Sequence, residues 1–180
     1  MKVKELMIPV AEYVTVGQDA TLSDVFRTLE EDHQAKPDKS HAHRDVLVLD
    51  AQGGFLGKLT MTDILRSLEP NYKKLMNGDA ADATLTSEYV AGVFRDFGLW
   101  TDTLQSLCGQ AMDVPAVEAM HRPAESEFME EDDDLEIAVH KYIMGGHQPL
   151  LVRRDGKVTG VIRLSDIFEE VRSRMTTCKQ

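Results

Sequence analysis

Two short passages, Gly57-Lys-Leu-Thr-Met-Thr-Asp63 and Gly160-Val-Ile-Arg-Leu-Ser-Asp166, follow one plan 103 residues apart, and each runs on into an apolar pair, Ile64-Leu65 or Ile167-Phe168. A strand that leads from a glycine to hydroxyl and carboxylate side chains at a helix start gathers backbone N–H groups and polar side chains at one corner. Such a corner can hold a phosphate and a ribose together. A chain that contains the corner twice has to fold as two related units, and this restricts the answer more than length or composition does.

The duplication extends upstream. Leu22, Val25, Phe26 and Leu29 stand at helix positions i, i+3, i+4 and i+7, as do Leu135, Ala138, Val139 and Tyr142, 113 residues later. Thr21 with Asp24 three residues on is a capping-box arrangement, and Asp134 holds the corresponding cap position in the second copy. Met7 before Ile8-Pro9 and Met120 before His121-Arg122-Pro123 keep the same offset, followed by extended segments around Tyr13 to Val16 and Phe128 to Met129. The fall from 113 to 103 places ten extra residues in the first copy, in a polar insertion around 32–45 that contains Pro37 and lacks apolar periodicity. Short apolar strands follow, Val46 to Leu49 and Leu150 to Val152. Each turns through Gly53-Gly54 or Asp155-Gly156 into a second strand, Phe55 to Thr60 or Val158 to Arg163. The next helix then begins with Thr62 or Ser165 as its expected cap and Asp63 or Asp166 in its first turn. Each copy reads strand, helix, strand, strand, helix. A unit of that size is marginal alone, so the two are expected to share a core.

Between the copies, Tyr89, Val90, Val93, Phe94 and Phe97 mark one helix and Leu104, Leu107, Cys108 and Ala111 another, with Gly98 as the break and Thr101 or Asp102 opening the second. The expected division is a first repeat over 1–70, a helical connecting segment over 71–114 and a second repeat over 115–176. The fold class is α+β (α/β mixed), a pseudo-twofold sandwich. The connecting helices either cover the shared core or form a contact with another subunit.

Lys plus Arg number 20 against 31 Asp plus Glu, a formal charge of −11, which repels polyphosphate backbones and argues against nucleic acid as a partner. No apolar run approaches the roughly 20 residues needed to cross a bilayer, and Met1 to Glu5 opens no secretory signal, so a soluble cytoplasmic protein without membrane association is expected. Cys108 and Cys178 show no metal or disulfide spacing. His33, His41 and His43, with Asp32, Asp38 and Asp45 nearby, read as a solvated loop rather than a metal centre. The run from Glu130 to Asp134 lacks the glycine and ligand spacing of a calcium loop and reads as a solvated turn. His121, His140 and His147 have no nucleophile or acid that the sequence places beside them, so no catalytic residue is assigned and an enzyme is not expected.

The order of elements and the doubled Gly-x-x-[Thr/Ser]-x-[Thr/Ser]-Asp corner resemble a tandem cystathionine-β-synthase (CBS) domain pair, or Bateman module, over nearly all of the chain outside the middle segment. The resemblance implies a regulatory module that binds an adenosine-containing ligand (AMP, ADP, ATP or S-adenosylmethionine) in the clefts between repeats. It also implies a homodimer and output to a separate partner protein, with no required cofactor. It assigns Asp63 to the ribose hydroxyls, and Thr60, Thr62 and the following helix N-terminus to the phosphate. Asp166 and Ser165 match in the second copy, where Arg163 departs from the usual Thr or Ser and either grips a phosphate or closes the pocket on a local carboxylate. Lys58, on the same strand face as Thr60, is a candidate for added positive charge at the first site. The alternative is a structural or protein-interaction module with degenerate nucleotide sites, docking through the middle helices.

Overall fold

The computed structural model describes residues 1–36, 43–72, 87–145 and 148–177. Asp38, His41, His147 and Cys178, and the stretch 73–86 of the connecting segment, lie outside the described residues.

The first copy is built from β2 (Thr15–Gly17), α1 (Leu22–Ala35), β3 (Val46–Leu49), β4 (Phe55–Leu59) and α2 (Met61–Leu68). The second repeats that order as β5 (Phe128–Glu130), α6 (Leu135–Ile143), β6 (Leu150–Arg154), β7 (Lys157–Ile162) and α7 (Leu164–Thr177). Before the first copy runs β1 (Ile8–Pro9). Between the copies lie α3 (Ser87–Asp96), α4 (Leu104–Ala111) and the short α5 (Ala116–Ala119). In both repeats the leading strand pairs parallel to the next one, across the intervening helix, and the last two strands form an antiparallel hairpin. The mixed α+β class and the duplicated layout are those the sequence indicates.

Each sheet buries one face against its own helices. Val14, Val16, Leu22, Val25, Val46, Val48, Leu59 and Ile64 form the core of the first repeat, and Met129, Leu135, Ala138, Leu150, Val152, Ile162 and Ile167 that of the second. The other faces meet in a third cluster containing Tyr13, Leu47, Leu151 and Val161. Because β3 and β6 are covered on both sides, they are apolar at successive positions rather than alternating.

The two repeats exchange their leading segments. Val3, Leu6 and Met7 pack into the core of the second repeat, and β1 joins that repeat's sheet with Ile8 opposite Val161 and Pro9 opposite Gly160. In return Ala116, Val117 and Met120 pack into the first core, and His121 bridges to Lys58 through backbone bonds of 3.0 and 2.8 Å. The glycine that opens each corner motif has its explanation here. A Cβ on Gly57 would lie 2.6 Å from Met120 Sδ and 2.8 Å from His121 O, and one on Gly160 would lie 2.8 Å from Met7 Sδ and 2.9 Å from Ile8 O. Only a residue without a side chain lets the visiting strand approach this closely.

Several helix starts differ from the sequence reading. Thr60, rather than Thr62, caps α2: its hydroxyl accepts from Asp63 N while the Asp63 carboxylate accepts from Thr60 N. This reciprocal bonding starts the helix earlier and leaves Thr62 exposed in its first turn. Likewise α7 begins at Leu164, ahead of Ser165. Thr103 caps α4 in place of Thr101 or Asp102, after Gly98 has ended the preceding helical stretch at φ +58°. Asp134 stands at the N-cap position of α6 but makes no side-chain cap bond, because its carboxylate binds Lys2 Nζ at 2.7 Å. The acidic run reads differently in its company. Asp132 pairs with Lys4 and Asp134 with Lys2, so the run tethers the visiting N-terminal segment rather than standing free in solvent.

The strand exchange carries a direct test. Gly57→Ala and Gly160→Ala each force a methyl group against backbone carbonyl and thioether atoms that have little room to yield. Each is expected to lower stability by about 1–3 kcal/mol, read from chemical denaturation. Gly109→Ala, which would place its methyl group where no other atom lies within 4 Å, is expected to be neutral or slightly stabilising.

Candidate functional site

The first corner opens on a cavity of about 590 Å³. Asp63, Arg66 and Ser67 of α2 form one wall, Gln110 and Ala111 of α4 another, and Glu118 and Ala119 of α5 with Met120, His121 and Arg122 a third. The last group comes from the segment that the second repeat lends to the first, so the exchange builds the cavity. Its size falls in the range of small-molecule sites.

Asp63 is held in place before any ligand arrives. Its Oδ2 accepts from Thr60 N at 3.0 Å and from Thr60 Oγ1 at 2.6 Å, and its Oδ1 accepts from Arg66 Nη1 at 3.1 Å. A carboxylate offers about four acceptor positions, so Oδ1 retains capacity towards a vicinal diol. Thr60 is committed to the cap. Thr62 and Ser165 are exposed, and neither lies on the cavity wall.

Lys58 goes elsewhere. It is 0 % exposed, and its Nζ reaches Glu127 Oε2 at 2.8 Å and Pro149 O at 2.7 Å, both contributed by the second repeat. Glu127 also accepts from Ala124 N at 2.9 Å and lies 2.7 Å from His121 Nε2, so one carboxylate fixes the local 121–127 stretch and ties it to Lys58 of the first repeat. Burial would raise the Glu127 carboxyl, but the bonds from Lys58, His121 and Ala124 outweigh it and hold the pKa down to about 2. Burial pushes the Lys58 ammonium below the ordinary lysine value, against the opposing pull of Glu127. The sequence reading overlooked Glu127. Its signal was faint: a carboxylate just before β5, where the first repeat has Val14.

The second corner is closed on itself. Arg163 Nε donates to Asp166 Oδ2 and Nη2 to Oδ1, each at 2.7 Å, a bidentate fork that occupies both carboxylate oxygens. That bond raises the Arg163 pKa despite burial. Of the two readings of Arg163, the structure has the pairing with a local carboxylate. Behind it the Tyr13 hydroxyl donates to Asp45, and the His43 ring stands edge-on to Tyr13 at 4.3 Å. His43 is buried against Asp32 and Lys36, which fixes the end of the polar insertion, and burial lowers its pKa.

Comparison with known proteins gives the arrangement its context. The CBS domain family model matches residues 3–70. The first repeat is similar to a CBS domain over that stretch. The fold as a whole is that of a CBS domain pair, and the matched stretch includes the Val3 to Met7 segment that packs on the opposite repeat. A putative acetoin utilization protein (AcuB) from Vibrio cholerae is similar with a TM-score of 0.61 at 16% identity, over 99% of this chain and 96% of that one. A CBS domain pair/ACT domain protein from Thermotoga maritima gives 0.52 at 15% identity, over 97% and 98%. The CBS domain of a bacterial CNNM/CorC family Mg2+ transporter, solved in complex with ATP, gives 0.55 at 18% identity, over 95% and 87%. No curated protein sequence matches. Among the described residues no helix is long and apolar enough to cross a membrane.

In this CBS pair the Lys58–Glu127 contact joins the repeats through a buried charge, and breaking it on one side should be costly. Glu127→Gln leaves the Lys58 ammonium without its counter-charge and is expected to destabilise by about 3–5 kcal/mol, whereas Lys58→Met combined with Glu127→Leu should cost far less or stabilise. The pH dependence follows from the lowered carboxyl. Stability supplied by Glu127 is present above its unfolded value of about 4.5 and is lost as pH falls towards about 2, so wild type should weaken across that window more steeply than the double variant in acid denaturation.

Proposed function

We propose that this CBS pair is a regulatory module that binds an adenosine-containing nucleotide in the Asp63 cavity and signals through a change in packing. The observation that carries the reading is the cavity itself, which has the cap-locked Asp63 carboxylate in its wall and side chains of both repeats around it. The Asp63 Oδ1 accepts the ribose hydroxyls once Arg66 swings aside, and Arg66 is sufficiently exposed to do so. Because α5 and His121 belong to the lent segment, a ligand that bridges them to α2 favours one placement of the repeats over another. A coupling of about 1–3 kcal/mol is typical for such a device. The Mg2+ transporter CBS domain in complex with ATP supports nucleotide as the ligand class.

The output goes to a second copy of the chain and to a separate partner protein, with no catalytic step and no required cofactor. Leu164, Phe168, Val171 and Met175 form an exposed apolar stripe along α7, and Ile137 and Ile143 on α6 and Met144 just past its end are exposed as well. Burial of that surface in a homodimer would remove it from water. The connecting helices divide their roles: Leu107 and Ala111 of α4 are buried, while Val90 and Phe94 of α3 stay exposed as a surface for a partner.

The second reading, a module with degenerate nucleotide sites, is favoured at one place only, where Arg163 occupies Asp166. Isothermal titration of nucleotide-stripped protein with AMP, ADP, ATP and S-adenosylmethionine separates the two. Saturable binding that survives Asp166→Ala and is lost in Asp63→Ala is expected. Absence of binding by all four ligands overturns the sensing function, and loss only in Asp166→Ala overturns the choice of cavity.

A further inference from the structure

The two repeats present different faces at equivalent places. A second cavity, of about 300 Å³, opens on the first repeat between α1, α2 and α4, walled by Leu22 and Phe26, by Leu68, and by Cys108, Ala111 and Met112. Met61 and Leu65 continue the apolar stripe of α2 from Leu68 at helical spacing, and both are exposed, as are Phe26 and Met112 at the rim. At the 103-residue offset, Met61, Leu65 and Leu68 correspond to Leu164, Phe168 and Val171 of α7. Leu68 is only 6 % exposed, since α4 packs against α2 and shares the first core with it. Val171 is 42 % exposed, and the described residues of the second repeat include no counterpart of α4. The first face is therefore a groove. The second is a ridge, on which Phe168 is 63 % and Met175 68 % exposed.

We infer that two copies of the chain pair antiparallel about a two-fold axis, with the α7 ridge of each seated in the α1–α2–α4 groove of the other. This rests on the homodimer of the proposed function and adds its arrangement. The exposed apolar side chains of the two faces amount to on the order of 800 Å² per copy, which is what a stable interface of standard size buries on each partner. Any two-fold pairing of these faces covers that area, so shape decides among them. Groove against groove sets two apolar recesses face to face and leaves both unfilled. Ridge against ridge holds the faces apart at Phe168 and Met175. Neither gives the packing density that the centre of a stable interface reaches. Ridge in groove fills each recess with side chains, and its two identical contacts close the assembly at two copies. Neither the groove wall nor the ridge carries a charge, so the contact buries no unpaired ion.

Cys108 is exposed in the groove wall, which makes the seating testable by disulfide formation. In a Cys178→Ser background, Phe168→Cys and, separately, Met175→Cys are treated with diamide and run on non-reducing gels, with masses before oxidation read by light scattering. Wild type is expected at dimer mass. At least one of the two variants should give a covalent dimer that is absent from the Cys178→Ser parent and disappears when Cys108→Ser is added. Phe168→Ala should raise the dimer dissociation constant about tenfold or more while keeping the wild-type circular dichroism, because Phe168 lies outside the buried core. A covalent dimer that persists with Cys108→Ser, a ladder of larger species, no Cys108-dependent link from either variant, or an unchanged dissociation constant in Phe168→Ala overturns the seating and leaves the homodimer standing. A wild-type protein still monomeric at hundreds of micromolar overturns both.

Discussion

The close approach of each visiting strand to a glycine, Met120-His121 over Gly57 and Met7-Ile8 over Gly160, is the contact on which the rest of the structure depends. It lets each repeat complete its core with residues from the other, so neither half is a closed hydrophobic unit. Val3 belongs spatially to the second repeat and Ala116 to the first. A unit of roughly 60 to 70 residues buries too small a share of its surface to be secure alone, and the exchange joins two such units into one cooperative fold. It also shapes the cavity, since the wall facing Asp63 is made of the lent segment.

The same seam carries a buried charge. Lys58 occupies a strand position where the second repeat has Val161, and its ammonium is satisfied by Glu127 and the Pro149 carbonyl across the repeat boundary. Such a pair contributes little net stability compared with apolar packing, but it penalises any placement of the repeats that separates its members. With His121 on the same carboxylate and also on the cavity wall, the seam and the cavity share a residue.

The repeat order, the capped helix α1 and both hairpins are legible in the sequence because they rest on local rules: apolar spacing, Thr21 three residues before Asp24, and glycine at the turns. What was not legible depends on chain brought from far away. Lys58 shares strand parity with Thr60, yet the wall beside it belongs to the other repeat, so parity alone points its charge to the wrong neighbour. The acidic run Glu130 to Asp134 looks solvated until the N-terminal segment lies across it. Thr60 outcompeted Thr62 as a cap for a local reason, since only Thr60 stands three residues before Asp63.

The two corners have diverged in chemistry while keeping their backbone plan. Asp63 is held by the Thr60 hydroxyl and backbone N–H on one oxygen and by the more exposed Arg66 on the other. Asp166 is gripped instead by a bidentate fork from the partly buried Arg163. The most direct measurement is a crystal structure of the protein grown with AMP. The account predicts nucleotide in the first cavity, with its ribose on Asp63, and the Arg163–Asp166 fork unbroken. Nucleotide seated at Asp166 with the fork opened, or a first cavity left empty at saturating AMP, would contradict it.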